Sequence, residues 1–151
     1  MSATILDGKA IAAEIRAEAA SAAQQLIDAG TTPALAVVLI GNNPASAAYV
    51  GSKIKACAEC GIESIERTAD SDISESELLS IINDLNNDAS VHGILVQLPL
   101  PDHIDENSII EAVHPDKDVD GFHPINTGRL VAGSECLAPC TPAGIPELIS
   151  R

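Results

Sequence analysis

At 151 residues, 46% of them hydrophobic, the chain is long enough to bury one real core and too apolar to be disordered. Eight basic residues against twenty-two acidic ones leave a formal net charge of -14, which opposes binding to phosphate backbones and to anionic membrane surfaces. With one tyrosine, one phenylalanine and no tryptophan there is almost nothing for bases to stack on, so nucleic acid is excluded as a general partner.

The N-terminal stretch is rich in alanine, but Asp7, Lys9, Glu14, Arg16 and Glu18 interrupt any signal-peptide core, and no segment approaches the length of a membrane span. The expectation is a cytoplasmic protein with its four cysteines reduced. Ile11, Ile15, Ala19, Ala22 and Leu26 recur at helical spacing and predict an amphipathic helix over about 9–29, stopped by Gly30. Residues 35–40 form a short, Val-rich apolar run that reads as a strand covered on both faces. Asn43 and Pro44 then read as an N-cap and first turn, opening a helix that runs to Cys60 and is closed by Gly61. Tyr49 and Lys53 fall inside it, four residues apart, so ring and ammonium share one face; spacing alone reads this as a solvated surface pair, and a site for a flat ligand with a proton-handling lysine is the alternative.

A weaker strand over 62–67 leads to Ser74 and Glu77, a capping box ahead of the stripe Leu78, Leu79, Ile81, Ile82 and Leu85. Residues 92–98 are again a buried-type strand, ended by Pro99 and Pro101, and 105–113 is a short helix. Beyond Val113 the pattern turns irregular and rich in proline, until Thr141 and Pro142 open a last helix, with a kink expected at Pro146. That helix reaches Arg151 without a cap, which suggests a truncated chain, although a frayed terminus would look the same. Strands alternating with helices predict a three-layer α/β/α domain on a mainly parallel sheet, with the ligand site at the carboxyl ends of the strands. Gly41, Asn42, Tyr49, Lys53 and Gln97 are thereby expected to converge.

Three motifs carry competing chemistry. Asp116, Asp118 and Asp120 before Gly121 match the first half of a calcium loop, but Thr127 stands where the bidentate glutamate belongs and Pro115 and Pro124 deny the flanking helices. Cys57, Cys60, Cys136 and Cys140 are few enough to form one zinc site, yet the first pair lies within a helix, so small buried packing residues are the simpler reading. The four histidines show no metal-ligand spacing and are read as structural, and no metal is expected. No G-x-G-x-x-G, P-loop or nucleophile elbow occurs.

The segments Tyr49-Val-Gly-Ser-Lys53-Ile-Lys, Gly93-Ile-Leu-Val-Gln97-Leu-Pro-Leu-Pro101, Lys117-Asp-Val-Asp120-Gly-Phe and Pro139-Cys-Thr-Pro-Ala-Gly144, in this order, resemble the methylenetetrahydrofolate dehydrogenase/cyclohydrolase family. The opening Ile-Leu-Asp-Gly-Lys and Leu85-Asn-Asn are similar too, so the resemblance covers essentially the whole chain. It implies a bifunctional enzyme of one-carbon metabolism and purine biosynthesis, acting on tetrahydrofolate one-carbon derivatives. Methylene-tetrahydrofolate would be oxidised with NADP to the methenyl form, and that form hydrolysed to 10-formyltetrahydrofolate.

On the family pattern Lys53 is the catalytic lysine, Gln97 orients it, and Tyr49 lies against the folate. Leu98 and Pro99 join the substrate site, and Asp120 accepts hydrogen bonds from the amino and ring N–H edge of the pterin. The resemblance further implies a folate-binding catalytic domain at residues 1–140. Residues 141–151 then begin the helix to a second, Rossmann-type NADP domain, which this chain lacks, together with all cofactor-binding residues; the full-length parent is implied to be a homodimer. The competing readings are a folate- or anion-binding fragment without turnover and a structural zinc domain.

Overall fold

The computed structural model describes residues 5–151, so the first four residues of the stretch read against a signal peptide lie outside the described residues. Its elements run α1 (Gly8–Asp28), β1 (Ala34–Ile40), α2 (Pro44–Glu59), β2 (Glu63–Ala69), α3 (Glu75–Asn87), β3 (Gly93–Val96), α4 (Glu106–Ala112), α5 (Pro124–Val131) and α6 (Cys140–Ser150). The strands form one parallel sheet in the order β2-β1-β3, with Leu35 opposite Ser64 on one side and Gly93 on the other.

Side chains alternate across a strand, and β1 uses both of its faces. Ala36, Val38 and Ile40 pack with Leu78, Ile82 and Leu85 of α3 and Ile109 of α4. Val37, flanked by Leu35 and Leu39, packs with Val50 and Ile54 of α2. The domain is therefore the expected three-layer α/β/α sandwich. No helix among the described residues is long and apolar enough to cross a membrane.

The caps read from the sequence are in place. Asn43 Oδ1 accepts from the backbone N–H of Ala45 and Ser46, and Ser74 with Glu77 completes the capping box. Four expectations are corrected. The α1 stripe is mostly not core: Ile11 and Ala23 are buried, whereas Ile15, Ala19, Ala22 and Leu26 are exposed. That helix packs on α2 and α6 instead of the sheet, so a narrow contact line suffices. The region after Val113, read as irregular, holds a regular helix, α5, that opens at His123-Pro124: the His123 Nδ1 accepts from Ile125 N–H and Pro124 takes the first turn. The final helix begins one residue before Thr141, at Cys140, and continues across Pro146. Finally, β3 is shorter than the 92–98 run, although His92 and Gln97 extend its pairing by bonding from their N–H groups to the carbonyls of Ala34 and Val38.

The segment after α4 is held by side chains. Asn86 donates to the Ala112 carbonyl and accepts from His114 N–H. Lys117 donates from Nζ to the carbonyls of Leu85, Asn86 and Asp88 at 3.0, 2.8 and 2.8 Å, capping the end of α3 with a charge of the sign that end prefers. The Lys117 carbonyl in turn accepts from Ile94 N–H at 2.7 Å, which lays residues 117–119 along the outer edge of β3. Lys117→Met keeps the stem and removes the ammonium, and should lower stability by about 1–2 kcal/mol. Equilibrium urea unfolding checks this; an unchanged midpoint would contradict the cap.

Candidate active site

Because α2 starts at Pro44, Val50 and Ile54 point into the sheet, and Tyr49 and Lys53 stand beside them at the open edge of the sandwich. Lys53 is half-buried and Tyr49 is 65% exposed. The ammonium lies 5.5 Å from the ring centroid, within cation–π range. From the other side comes Gln97, just past β3. Its Nε2 donates to the Leu98 carbonyl at 2.6 Å, which leaves Oε1 facing the Lys53 Nζ at a long 3.5 Å. The Leu98–Pro99 peptide bond that follows is cis.

Asp120 arrives on the segment laid along β3, and two glycines permit its position. A Cβ at Gly93 would come within 2.5 Å of Val119 Cγ1. Gly121 has φ +66, and a Cβ there would lie 2.7–2.8 Å from the backbone of residues 137–139. The Asp120 turn is thus clamped between the sheet edge and the irregular segment that leads into α6.

These pieces enclose a cleft of about 630 Å³. Leu35, Leu95 and Val119 line it from the sheet side, Phe122 and residues 139–142 supply the opposite wall, and among the described residues Lys53 and Asp120 are its only charged lining residues. Tyr49 also borders a smaller cleft of about 230 Å³ with Asn43, Ser46, Gln97, Leu98 and Pro99. Burial pushes the Asp120 carboxyl above its ordinary value; the Lys53 charge opposes that push and the neighbouring Asp118 carboxylate adds to it. An apolar slot with two aromatic rings, Tyr49 and Phe122, one carboxylate and one ammonium suits a flat, partly polar ligand that presents N–H donors and needs a proton moved.

The expected residues therefore divide between two adjoining clefts, with Lys53 and Asp120 in the larger, Gln97, Leu98 and Pro99 in the smaller, and Tyr49 in both. Gly41 and Asn42 line neither; Gly41 N–H instead bonds the Ala69 carbonyl at the end of β2. Phe122, Cys57 and Cys140 line the larger cleft and were missed as site residues. Their signal was proximity in the motifs, since Phe122 closes Asp-Gly-Phe and Cys140 sits in Pro-Cys-Thr-Pro.

The cysteines serve neither expectation as a set. All four are free; only Cys60 is buried, its thiol donating to the Arg16 carbonyl, while Cys140 is exposed. Among the described residues no three His, Cys, Asp or Glu side chains converge as metal ligands. The three aspartates of the half calcium loop diverge: Asp116 pairs with Arg129 at 3.3 Å, Asp118 is buried against α5, and Asp120 faces the cleft. Each histidine bonds backbone, as its structural reading requires.

Residues 6–120 match the family model described as tetrahydrofolate dehydrogenase/cyclohydrolase, catalytic domain. The chain is 54% identical over its full length to the bifunctional protein FolD of Brevibacillus brevis, covering 53% of that protein. Among solved structures, the bifunctional FolD dehydrogenase/cyclohydrolase of Campylobacter jejuni superposes with a TM-score of 0.95 at 53% identity, over 97% of this chain and 52% of that one. The Trypanosoma brucei methylenetetrahydrofolate dehydrogenase-cyclohydrolase, solved with NADP cofactor and inhibitor, gives 0.92 at 32% identity, over 99% and 52%. The chain spans about half the length of the relatives it matches.

Two predictions follow from this geometry. Gly121→Ala forces a side chain into the backbone of residues 137–139 and should cost about 3 kcal/mol, read by thermal or urea unfolding; full retention of stability would contradict the clamp. Asp120→Asn should raise the melting temperature at neutral pH. The sign follows from the raised carboxyl: the folded chain holds this proton more tightly than the unfolded chain, so the buried charge destabilises above the folded pKa. The advantage of asparagine should shrink as pH falls and vanish below about pH 4, where both states are protonated. A constant difference across pH would refute it.

Proposed function

The chain belongs to the tetrahydrofolate dehydrogenase/cyclohydrolase family, and from that premise we propose that it supplies the folate-binding and proton-handling part of an enzyme of one-carbon metabolism. That enzyme oxidises methylene-tetrahydrofolate to the methenyl form with NADP and hydrolyses the methenyl form to 10-formyltetrahydrofolate. The observation that carries the reading is the Lys53 ammonium held between Gln97 Oε1 and the Tyr49 ring, in one apolar cleft with Asp120.

In this reading the pterin lies against Tyr49 with its N–H edge on the Asp120 carboxylate, a charge-assisted and directional match. The bridging carbon then sits near Lys53. In the hydrolysis, water adds to that carbon, its bond to N5 breaks, the formyl group stays on N10, and one proton is released. Lys53 is the group within reach to carry that proton, and Gln97 keeps it aimed. Leu98 and Pro99 shape the adjoining wall. Residues 1–140 are read as the folate-binding catalytic part and 141–151 as the helix leading out of it, although that helix starts at Cys140 and its first turn still lines the cleft. The parent is read as cytoplasmic, homodimeric and serving purine biosynthesis.

NADP itself does not fit the residues present. The helices that follow the three strands start at Asn43-Pro44, at Ser74 with Glu75 and Glu77, and at Asp105 with Glu106; the side-chain caps take up part of each set of N-terminal amides, and the carboxylates on the last two repel a pyrophosphate. Hydride transfer is therefore not assigned to any side chain of this chain.

Hydrolysis of methenyl-tetrahydrofolate, followed by loss of the methenyl absorbance, tests the reading in the parent protein. Lys53→Met should lower the enzyme-dependent rate at least about a hundredfold while folate still binds. An unchanged rate would sink the assignment of Lys53. Folate binding without hydrolysis by the unsubstituted parent would instead establish the alternative, a binding fragment without turnover.

A further inference from the structure

Asp118, two residues before the cleft aspartate, is buried (6% exposed) and does not line the large cleft. Its Oδ2 accepts from His123 N–H at 2.9 Å and from Asn126 Nδ2 at 3.0 Å. His123 is the N-cap of α5 and Asn126 its third residue, so Asp118 bridges the two positions that a capping box links, but from outside the helix. Asn126 is 1% exposed and its Nδ2 also donates to the Pro115 carbonyl at 2.7 Å, anchoring the arrangement at a second point. The Asp118 carbonyl meanwhile accepts from Gly121 N–H at 3.2 Å. The loop from residue 118 to 123 is thus closed at its base by one carboxylate, and it carries both Asp120 and Phe122 into the cleft.

We propose that Asp118 is the positioning residue of this site: its buried carboxylate ties the base of the loop to α5 and so sets where the Asp120 carboxylate and the Phe122 ring stand in the cleft. It also sets the field there. The groups around the Asp120 carboxyl are Lys53 from α2 and Asp118 from its own segment, with the Cys57 thiol of α2 and the Cys140 thiol of α6 lining the same cleft, and His123 turned into the start of α5. Lys53 favours the charged form of Asp120 and Asp118 disfavours it. Asp118 therefore has a geometric and an electrostatic effect, and they separate by substitution. The asparagine variant keeps an oxygen that can accept both hydrogen bonds and removes the charge, whereas alanine removes both.

The ligand in this inference rests on the folate reading, but the placement of Asp120 does not, so the test has two arms. The first follows the Asp120 side-chain carboxyl by carbon NMR against pH in the unliganded chain. Asp118→Asn should move its titration to lower pH, because a neighbouring negative charge is gone; an unmoved titration overturns the electrostatic part. The second measures binding of 5-formyltetrahydrofolate by calorimetry. Asp118→Asn should bind within about threefold of the unsubstituted chain at neutral pH, and Asp118→Ala should bind about tenfold or more weakly. Equal binding by the alanine variant overturns the positioning role. If Asp118→Ala does not fold, Asp118→Ser, whose side chain is too short to hold both the His123 and Asn126 donors, replaces it in the binding arm with the same two outcomes deciding. Should the unsubstituted chain and Asp120→Asn both fail to bind, the folate reading falls, while the titration still judges Asp118.

Discussion

A half-buried ammonium needs partners, and the cleft is organised around the two that Lys53 finds. Gln97 is fixed three times over: its N–H bonds the Val38 carbonyl of the central strand, its Nε2 bonds the Leu98 carbonyl, and only then does Oε1 turn toward Lys53. Such a side chain has little rotamer freedom left to lose when a ligand arrives, which is what preorganisation means in physical terms. Tyr49, by contrast, is largely exposed, placed by α2 and met on one side by the Lys53 ammonium. A rigid support behind the lysine and an accessible ring beside it are what a site needs if one group handles a proton while the other meets a flat ligand.

The second half of the cleft depends on backbone approach. The 117–121 segment lies on the edge of β3 because Gly93 leaves room for Val119, and it turns under residues 137–139 because Gly121 has neither a Cβ nor an aversion to positive φ. Lys117 and Asp118 lock the same segment from opposite sides, one onto the end of α3 and the other onto the start of α5. Four of the residues in Lys-Asp-Val-Asp-Gly thus have distinct physical tasks, and only Asp120 brings its charge into the cleft.

Much of this was legible in the sequence where the signal was local. Asn43-Pro44 and Ser74-Glu77 announced their helices because caps satisfy backbone groups within a few residues. The Val-rich run at 35–40 announced a doubly covered strand for the same reason of short range. Helix α5 was missed because a histidine cap is rarer than a serine or aspartate one, and because the proline spacing around it reads as irregular. The α1 stripe misled in the opposite direction: its periodicity was genuine, but the amount of it that is buried depends on what packs there, which periodicity does not contain. The role of Asp118 was beyond local reading, since its partners are fixed only once α5 folds back on the loop. Tyr49, Lys53, Gln97 and Asp120 were recognisable as a group through the resemblance, whereas their spacing alone left a surface Tyr/Lys pair as the simpler account.

On the proposed function, one cleft would hold a reduced folate with its pterin between Tyr49 and the apolar wall, its N–H edge on Asp120 and its one-carbon bridge beside Lys53. A crystal structure of the protein with bound 5-formyltetrahydrofolate tests this most directly. The account predicts hydrogen bonds from the pterin amino and ring N–H groups to the Asp120 carboxylate, and Lys53 Nζ within hydrogen-bond or one-water reach of the one-carbon group. A folate bound in the separate cleft between Asp116, Arg129 and Cys136, or a pterin with no contact to Asp120, would contradict it.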